Sequence, residues 1–146
     1  MTGLAAALVG LVLLAPAVAG AQCTVTATPI AFGTYLPFAA TPTDNTGNVT
    51  IACAFNGYTI ALNAGINGGG NFANRRMASA GAFLLYQLYS DAAHATVWGD
   101  GTGGTSTVAA PCLFCRRTHT VFGRITARQA ARPGTYSDTI LVTVTF

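Results

Sequence analysis

The chain contains no lysine and no glutamate. Its formal charges are seven arginines and four aspartates, so charged residues make up only 8% of 146 positions. Helices in soluble proteins draw heavily on lysine, glutamate, glutamine and leucine, whereas threonine, valine, glycine and aromatics dominate here. Scarcity of the first set excludes a mainly helical domain. Without glutamate or lysine the chain also lacks a frequent general acid or base and the Schiff-base nucleophile. Neither a GxSxG nor an HExxH motif occurs, and the four aspartates, two histidines and four serines show no catalytic spacing. The sequence therefore reads as a non-enzyme with no cofactor. The net charge of +3 comes from arginines scattered along the chain, which gives no footprint for nucleic acid. Low charge with a mean hydropathy of +0.48 suits a protein that spends its life against other proteins.

Long hydrophobic runs are also missing, with one exception at the start. Leu4 to Ala15 is uncharged and apolar, Pro16 follows, and Ala19-Gly20-Ala21 forms a small-x-small cleavage signature before Gln22. About 12 apolar residues is too short to span a bilayer, so residues 1–21 read as a secretory signal peptide. No Lys or Arg stands beside Met1, which leaves the N-terminal amine to supply the usual positive charge. Gln22 before Cys23 argues against a lipoprotein signal. Removal of residues 1–21 from 146 leaves 125, one domain with room for one core.

Period-2 alternation runs through that domain. Cys23 to Ala27 alternates, and Asp44-Asn45-Thr46-Gly47 reads as a turn. Asn48 to Phe55 places Val49, Ile51, Cys53 and Phe55 on one face. Tyr58, Ile60 and Leu62 resume the alternation after Asn56-Gly57, so the two strands read as a hairpin. Residues 64–82, rich in Gly, Asn and Ala, read as a long loop carrying Arg75 and Arg76. Further strands are expected at Phe83–Tyr89, Thr118–Ala127 and residues 136–146. In the last, Ile140, Val142, Val144 and Phe146 share an apolar face, with no later segment to cover that strand's edge. Six or so strands at this spacing predict an all-β sandwich.

Four cysteines in an exported chain imply disulfides, and four allow three pairings. Cys23 is in phase with Val25, and Cys53 with Ile51, so both face the apolar side of their strands. A bridge between them would tie the first strand to the second. Pro111-Cys112-Leu113-Phe114-Cys115 could instead supply zinc ligands together with His119 and His94, or a redox pair. No second CxxC or paired-histidine spacing supports zinc, and no following helix acidifies a thiol. A local or rearranged disulfide is the preferred reading.

AQCTV and FGTY near the expected mature start, then NRRM, LLYQLYSD, VWGDGTGG, VFGRI and the closing GTYSDTILVTVTF, occur in order along essentially the whole mature chain. Together they resemble the spore coat protein U domain family, shared with subunits of archaic (Csu-type) chaperone–usher pili. The resemblance implies an immunoglobulin-like sandwich, residues 22–146, that lacks its final strand. A periplasmic chaperone would fill the gap first, and a neighbouring pilin subunit would replace it at an outer-membrane usher. It also implies that the family's usual disulfide is Cys23–Cys53. The acceptor groove would be walled by Val25, Val49, Ile51, Ile140, Val142, Val144 and Phe146. Pro111–Cys115 has no counterpart in the matched pattern.

The resemblance also implies that a donating subunit carries an alternating strand of about ten residues ahead of its first cysteine, and only Gln22 stands between the expected cleavage point and Cys23. The expectation is a subunit that accepts a strand without passing one on, which suits a tip. The other reading is a coat-like or adhesive protein acting through exposed loops on a solid or glycan surface. Phe72, Arg75, Arg76 and Trp98 are candidates for that contact, although core packing is the commoner role for a lone tryptophan. The arginines at 75, 76, 116, 117, 124, 128 and 132 could face an anionic surface, but such residues are more often a solvated face. Asp100-Gly-Thr-Gly-Gly104 lacks a second acidic ligand for calcium and reads as a structural turn.

Overall fold

A computed structural model of the protein describes residues 23–54 and 57–146. The expected signal peptide, Gln22, Phe55 and Asn56 lie outside the described residues. Eight strands follow in order: β1 (Cys23–Thr28), β2 (Thr43–Cys53), β3 (Gly57–Leu62), β4 (Arg76–Ser79), β5 (Ala82–Tyr89), β6 (Val108–Pro111), β7 (Cys115–Ile125) and β8 (Val142–Thr145). One turn of 3₁₀ helix, Phe72–Asn74, precedes β4, capped by Asn71, whose Oδ1 accepts from Ala73 N. The strands form a five-stranded sheet, β1-β2-β7-β5-β4, and a three-stranded sheet, β6-β3-β8. Every pairing is antiparallel.

The alternation places the core between the sheets. Val49, Ile51, Leu84, Leu88, Val121 and Ile125 come from the larger sheet, Tyr58, Ile60, Leu62 and Val142 from the smaller, and all are buried. Trp98, Tyr136, Ile140, Ile30 and Phe32 fill the ends and edges. Ile30 and Phe32 reach across β7 where Gly123 leaves room: a Cβ there would sit 2.7 Å from Phe32 Cζ.

Four sequence expectations need correction. The segments 48–55 and 58–62 are not a hairpin, since β2 pairs with β1 and β7 while β3 pairs with β6 and β8. A hairpin would set both apolar rows on the same face of one sheet with nothing opposite; in separate sheets each row covers the other. Asp44-Asn45-Thr46-Gly47 is not a turn but the first half of β2. Its polar side chains suit the solvent face, where Asp44 pairs with Arg124 of β7 and Asn45 Nδ2 bonds Ala31 O. Gly47 is required because a Cβ would lie 2.6 Å from Thr28 O. The presumed 64–82 loop contains β4, and residues 136–146 contribute only Val142–Thr145 as regular strand. β6 carried no clear alternation in the sequence, because its four residues, VAAP, are short and half-exposed.

Candidate functional site: the outer edge of β8

Residues 137–145 are tied down along one side. Ser137 and Ala78 of β4 exchange both backbone bonds, at 2.9 and 3.1 Å. Ile66 N donates to Thr139 O and Asn63 N to Leu141 O, while Leu141 N donates to Asn63 Oδ1 at 2.9 Å. From there Val142 to Thr145 pair with Leu62 to Thr59 of β3. Backbone groups of successive strand residues point to opposite sides, so the bond from Leu141 O sets the parity. Leu141, Thr143 and Thr145 face β3 with their amides and carbonyls. Val142 and Val144 direct theirs away from it. Among the described residues, β8 is the end strand of its sheet and no strand meets that outer side.

The side chains of Val142 and Val144 point into the sandwich, so the outer edge adjoins incompletely covered core. Val142 is buried, Val144 half-buried and Phe146 exposed at 59%. At the edge of the other sheet, the inward residues of β1, Cys23, Val25 and Ala27, are half-buried as well. Val49, Ile51 and Ile140 lie deeper, fully buried. Of the seven expected groove residues, then, Val25, Val144 and Phe146 keep apolar area at the surface, and the other four are buried.

The route into β8 is held by polar contacts that sequence reasoning missed. Asp138 is 3% exposed; its Oδ2 accepts a 2.6 Å bond from Tyr86 Oη, and its Oδ1 accepts from Asn67 N and Nδ2. Burial, with the Asp138 charge beside it, raises the Tyr86 pKa far above the ordinary range. Arg75 is wholly buried. It donates to Asn63 O from Nε and Nη2, to Trp98 O from Nη2, and to Gln87 Oε1 from Nη1, at 2.7 to 3.2 Å. The Phe72 ring lies 5.2 Å from its guanidinium carbon. Burial lowers the Arg75 pKa to about 10, so it stays charged at neutral pH. Trp98, 1% exposed, donates from Nε1 to Ile60 O. Arg75 and Trp98 are thus interior fasteners rather than surface contacts. Only Phe72 and Arg76 of the expected quartet retain exposed area, and Arg76 lies over the Phe83 ring at 4.0 Å. The signal for Arg75 was weak, since a buried arginine and a solvated one look alike in sequence.

Cys23 is bonded to Cys53, and Cys112 to Cys115. Neither pair of sulfurs is therefore available to zinc. The two histidines are also apart from each other: His119 Nε2 is 2.6 Å from Tyr58 Oη, while His94 meets Tyr89 and Phe122 edge to face on the outer face of the larger sheet. Burial, and then the Arg117 charge, hold the His119 pKa below its usual value. The arginines do not converge. Arg116 and Arg117 follow Cys115 at the start of β7, and Arg124 lies eight residues beyond Arg116, roughly 27 Å away at strand rise. Asp100 accepts from Thr102 N and Oγ1 and closes the turn expected there.

Two facing antiparallel sheets, with a disulfide joining the first two strands within the larger and a last strand whose outer edge is unpaired among the described residues, define a β-sandwich of the immunoglobulin-like class. Residues 9–143 match the Spore Coat Protein U domain, and the chain belongs to that family. No curated protein matches it. Among solved structures it is similar to a chain in the crystal structure of the CsuC–CsuE chaperone–tip adhesion subunit pre-assembly complex from the archaic chaperone–usher Csu pili of Acinetobacter baumannii. Identity is 25% and the TM-score 0.62, over 86% of this chain and 40% of that one. The chain thus spans about two fifths of the length of its structural relative.

Proposed function

We propose that the protein is an exported, non-enzymatic subunit of a chaperone–usher pilus that accepts a donor strand along the outer edge of β8. The observation that carries this reading is the asymmetry of residues 137–145: one side is bonded throughout, the other presents the amides and carbonyls of Val142 and Val144. The half-buried Val144 side chain at that edge would be covered by the alternating side chains of an added strand. Strand addition draws affinity from main-chain bonds and specificity from such pockets. An uncovered edge of this kind otherwise pairs with any available strand. Family membership and the likeness to a chaperone–subunit complex support the same partners: a periplasmic chaperone during transit, then the usher and neighbouring subunits at the cell surface. Co-expression with the cognate chaperone tests it. The expected product is a soluble one-to-one complex, lost when Val142→Arg and Val144→Arg are combined. A chain that is soluble, monomeric and cooperatively folded alone, with no chaperone retained, would refute it.

A tip position, with a role in attachment and biofilm, is the finer form of this reading. The exported protein's intact mass tests it: a mature N-terminus well upstream of Gln22 would leave a segment able to serve as a donor strand and sink the tip assignment. One observation favours a second reading, adhesion through loops. Phe38, Ile66 and Leu113 are exposed at 97%, 70% and 69%. Replacing all three with serine should abolish retention on a hydrophobic surface if they make the contact.

A further inference from the structure

The register brings three cysteines into one row. Cys23 of β1 stands opposite Cys53 of β2, and Cys53 stands opposite Cys115 of β7. All three belong to the inward-facing series of their strands: Cys53 alternates with Ile51 and Val49, and Cys115 with Arg117, His119 and Val121. The fourth, Cys112, is 2% exposed. Its Sγ lies 3.9 Å from Cys53 O and 3.5 Å from Cys115 O. The two disulfides are therefore neighbours, brought together where Cys53 stands in register with Cys115.

We infer that the Cys112–Cys115 pair is an intramolecular disulfide donor that forms Cys23–Cys53 by exchange through a Cys53–Cys115 intermediate. Cys23 and Cys53 have Cα atoms 4.3 Å apart, the narrow kind of antiparallel pair. Backbone groups alternate along β2, so Cys53 and Cys115 form the wide kind, with Cα atoms about 5.5 Å apart. Both separations fall close to the range a disulfide spans, about 4.4 to 6.8 Å. Cys23 and Cys115 are two strands apart, roughly 9.5 Å, and cannot bond directly. Cys53 is the one sulfur able to pair in register with either neighbour.

The exchange balances within the sulfur set. Cys53 thiolate attacks Cys115 Sγ, which forms Cys53–Cys115 and expels Cys112 as thiolate. Cys23 thiolate then attacks Cys53 Sγ, forms Cys23–Cys53 and expels Cys115 as thiolate. No net oxidation occurs in these two steps. The Cys112/Cys115 dithiol is afterwards reoxidised by an external disulfide, protein-borne or small, of the kind an oxidising compartment supplies. The order follows from chain length. The short pair closes across a separation of 3 and the long pair across 30. A three-halves power of that ratio makes the short closure roughly thirtyfold more frequent in the unfolded chain. The local pair is made first, and folding of β7 against β2 then delivers it to Cys53.

The test is oxidative refolding of the reduced, mature protein in glutathione buffer, with alkylation at intervals and mass-spectrometric mapping of the pairs. In the wild type, Cys53–Cys115 should appear and decay while Cys23–Cys53 grows. Combining Cys112→Ser with Cys115→Ser keeps the native long disulfide possible. Its half-time of formation should lengthen on the order of tenfold, given the closure ratio above. A trap variant, Cys23→Ser with Cys112→Ser, should oxidise to Cys53–Cys115. The control, Cys53→Ser with Cys112→Ser, leaves two sulfurs out of reach and should stay reduced. An unchanged half-time overturns the relay. So does a trap pair that remains reduced in a chain with wild-type circular dichroism, or a control that pairs as fast as the trap.

Discussion

If the edge of β8 accepts a strand, a short peptide of the right alternation should stabilise the isolated domain by a calculable amount. Residues 140–146 offer about seven positions of edge, so a matching strand inserts three or four side chains toward the half-buried Val144 and the core beside it. Each apolar side chain taken from water contributes about 1.5–3 kcal/mol, and main-chain bonds to Val142 and Val144 add to it. Ordering a free peptide costs back much of this, which leaves micromolar binding as a reasonable outcome. A ligand specific for the folded state and present at 100 times its Kd stabilises by about 2.7 kcal/mol. For a domain of about 120 residues, with an unfolding entropy near 2.1 cal/mol/K per residue, that is a rise in Tm of about 10 °C. The assay is thermal unfolding of the mature domain against increasing concentrations of a ten-residue peptide alternating valine or isoleucine with threonine. A second peptide of the same composition, its apolar residues clustered at one end, is the control. Loss of alternation removes the inward apolar row that the groove requires. No concentration-dependent shift, or equal shifts for both peptides, would show that no acceptor groove exists.

Three other outcomes follow from the same structure. Arg75→Met should destabilise the domain by about 3–5 kcal/mol, since Asn63 O, Trp98 O and Gln87 Oε1 all lose a charged donor in the interior; urea denaturation measures it, and a loss under 1 kcal/mol would mean that water replaces the guanidinium. His119 has a folded pKa below its unfolded one, so the unfolded chain takes up the proton first. Its contribution is present above the unfolded value of about 6.5 and is lost as pH falls through the folded pKa. Thermal midpoints of wild type and His119→Gln should therefore diverge in slope below about pH 6.5, and parallel curves down to pH 5 would contradict this. Combining Cys23→Ser with Cys53→Ser should cost about 3–4 kcal/mol by the chain-entropy estimate for a closed loop of this length, read as a lowered denaturant midpoint with a steeper slope, because the unlinked chain unfolds to a more expanded state; an unchanged midpoint would show that the β1–β2 ladder alone holds the first strand.

Much of this protein was legible before any coordinates. Alternation at Val49-Ile51-Cys53 and Tyr58-Ile60-Leu62 marks strands because a half-buried sheet has a period of two, and that period survives in sequence. The phase of Cys23 and Cys53 against their apolar neighbours pointed both sulfurs inward, toward the bond that joins them. The polar start of β2 was illegible for a physical reason: Asp, Asn and Gly signal turns through local propensity. Here that propensity is overridden by the Asp44–Arg124 pair and by the close approach of Thr28 O to Gly47.

Arg75 shows the limit from the other side. Its sequence neighbours are polar, yet it is the most deeply buried charge, because Asn63, Gln87 and Trp98 arrive from three separate stretches to satisfy it. By itself the sequence determined an all-β domain, the faces of most strands, the exclusion of a mainly helical design, and the resemblance to the spore coat protein U family. Only the tertiary structure decided which strands share a sheet, that β2 and β3 face each other, and which side of β8 stays unpaired among the described residues. Side-chain periodicity records which face of a strand meets the core. It carries no record of the neighbour in the plane of the sheet, because backbone amides and carbonyls are the same for every residue but proline.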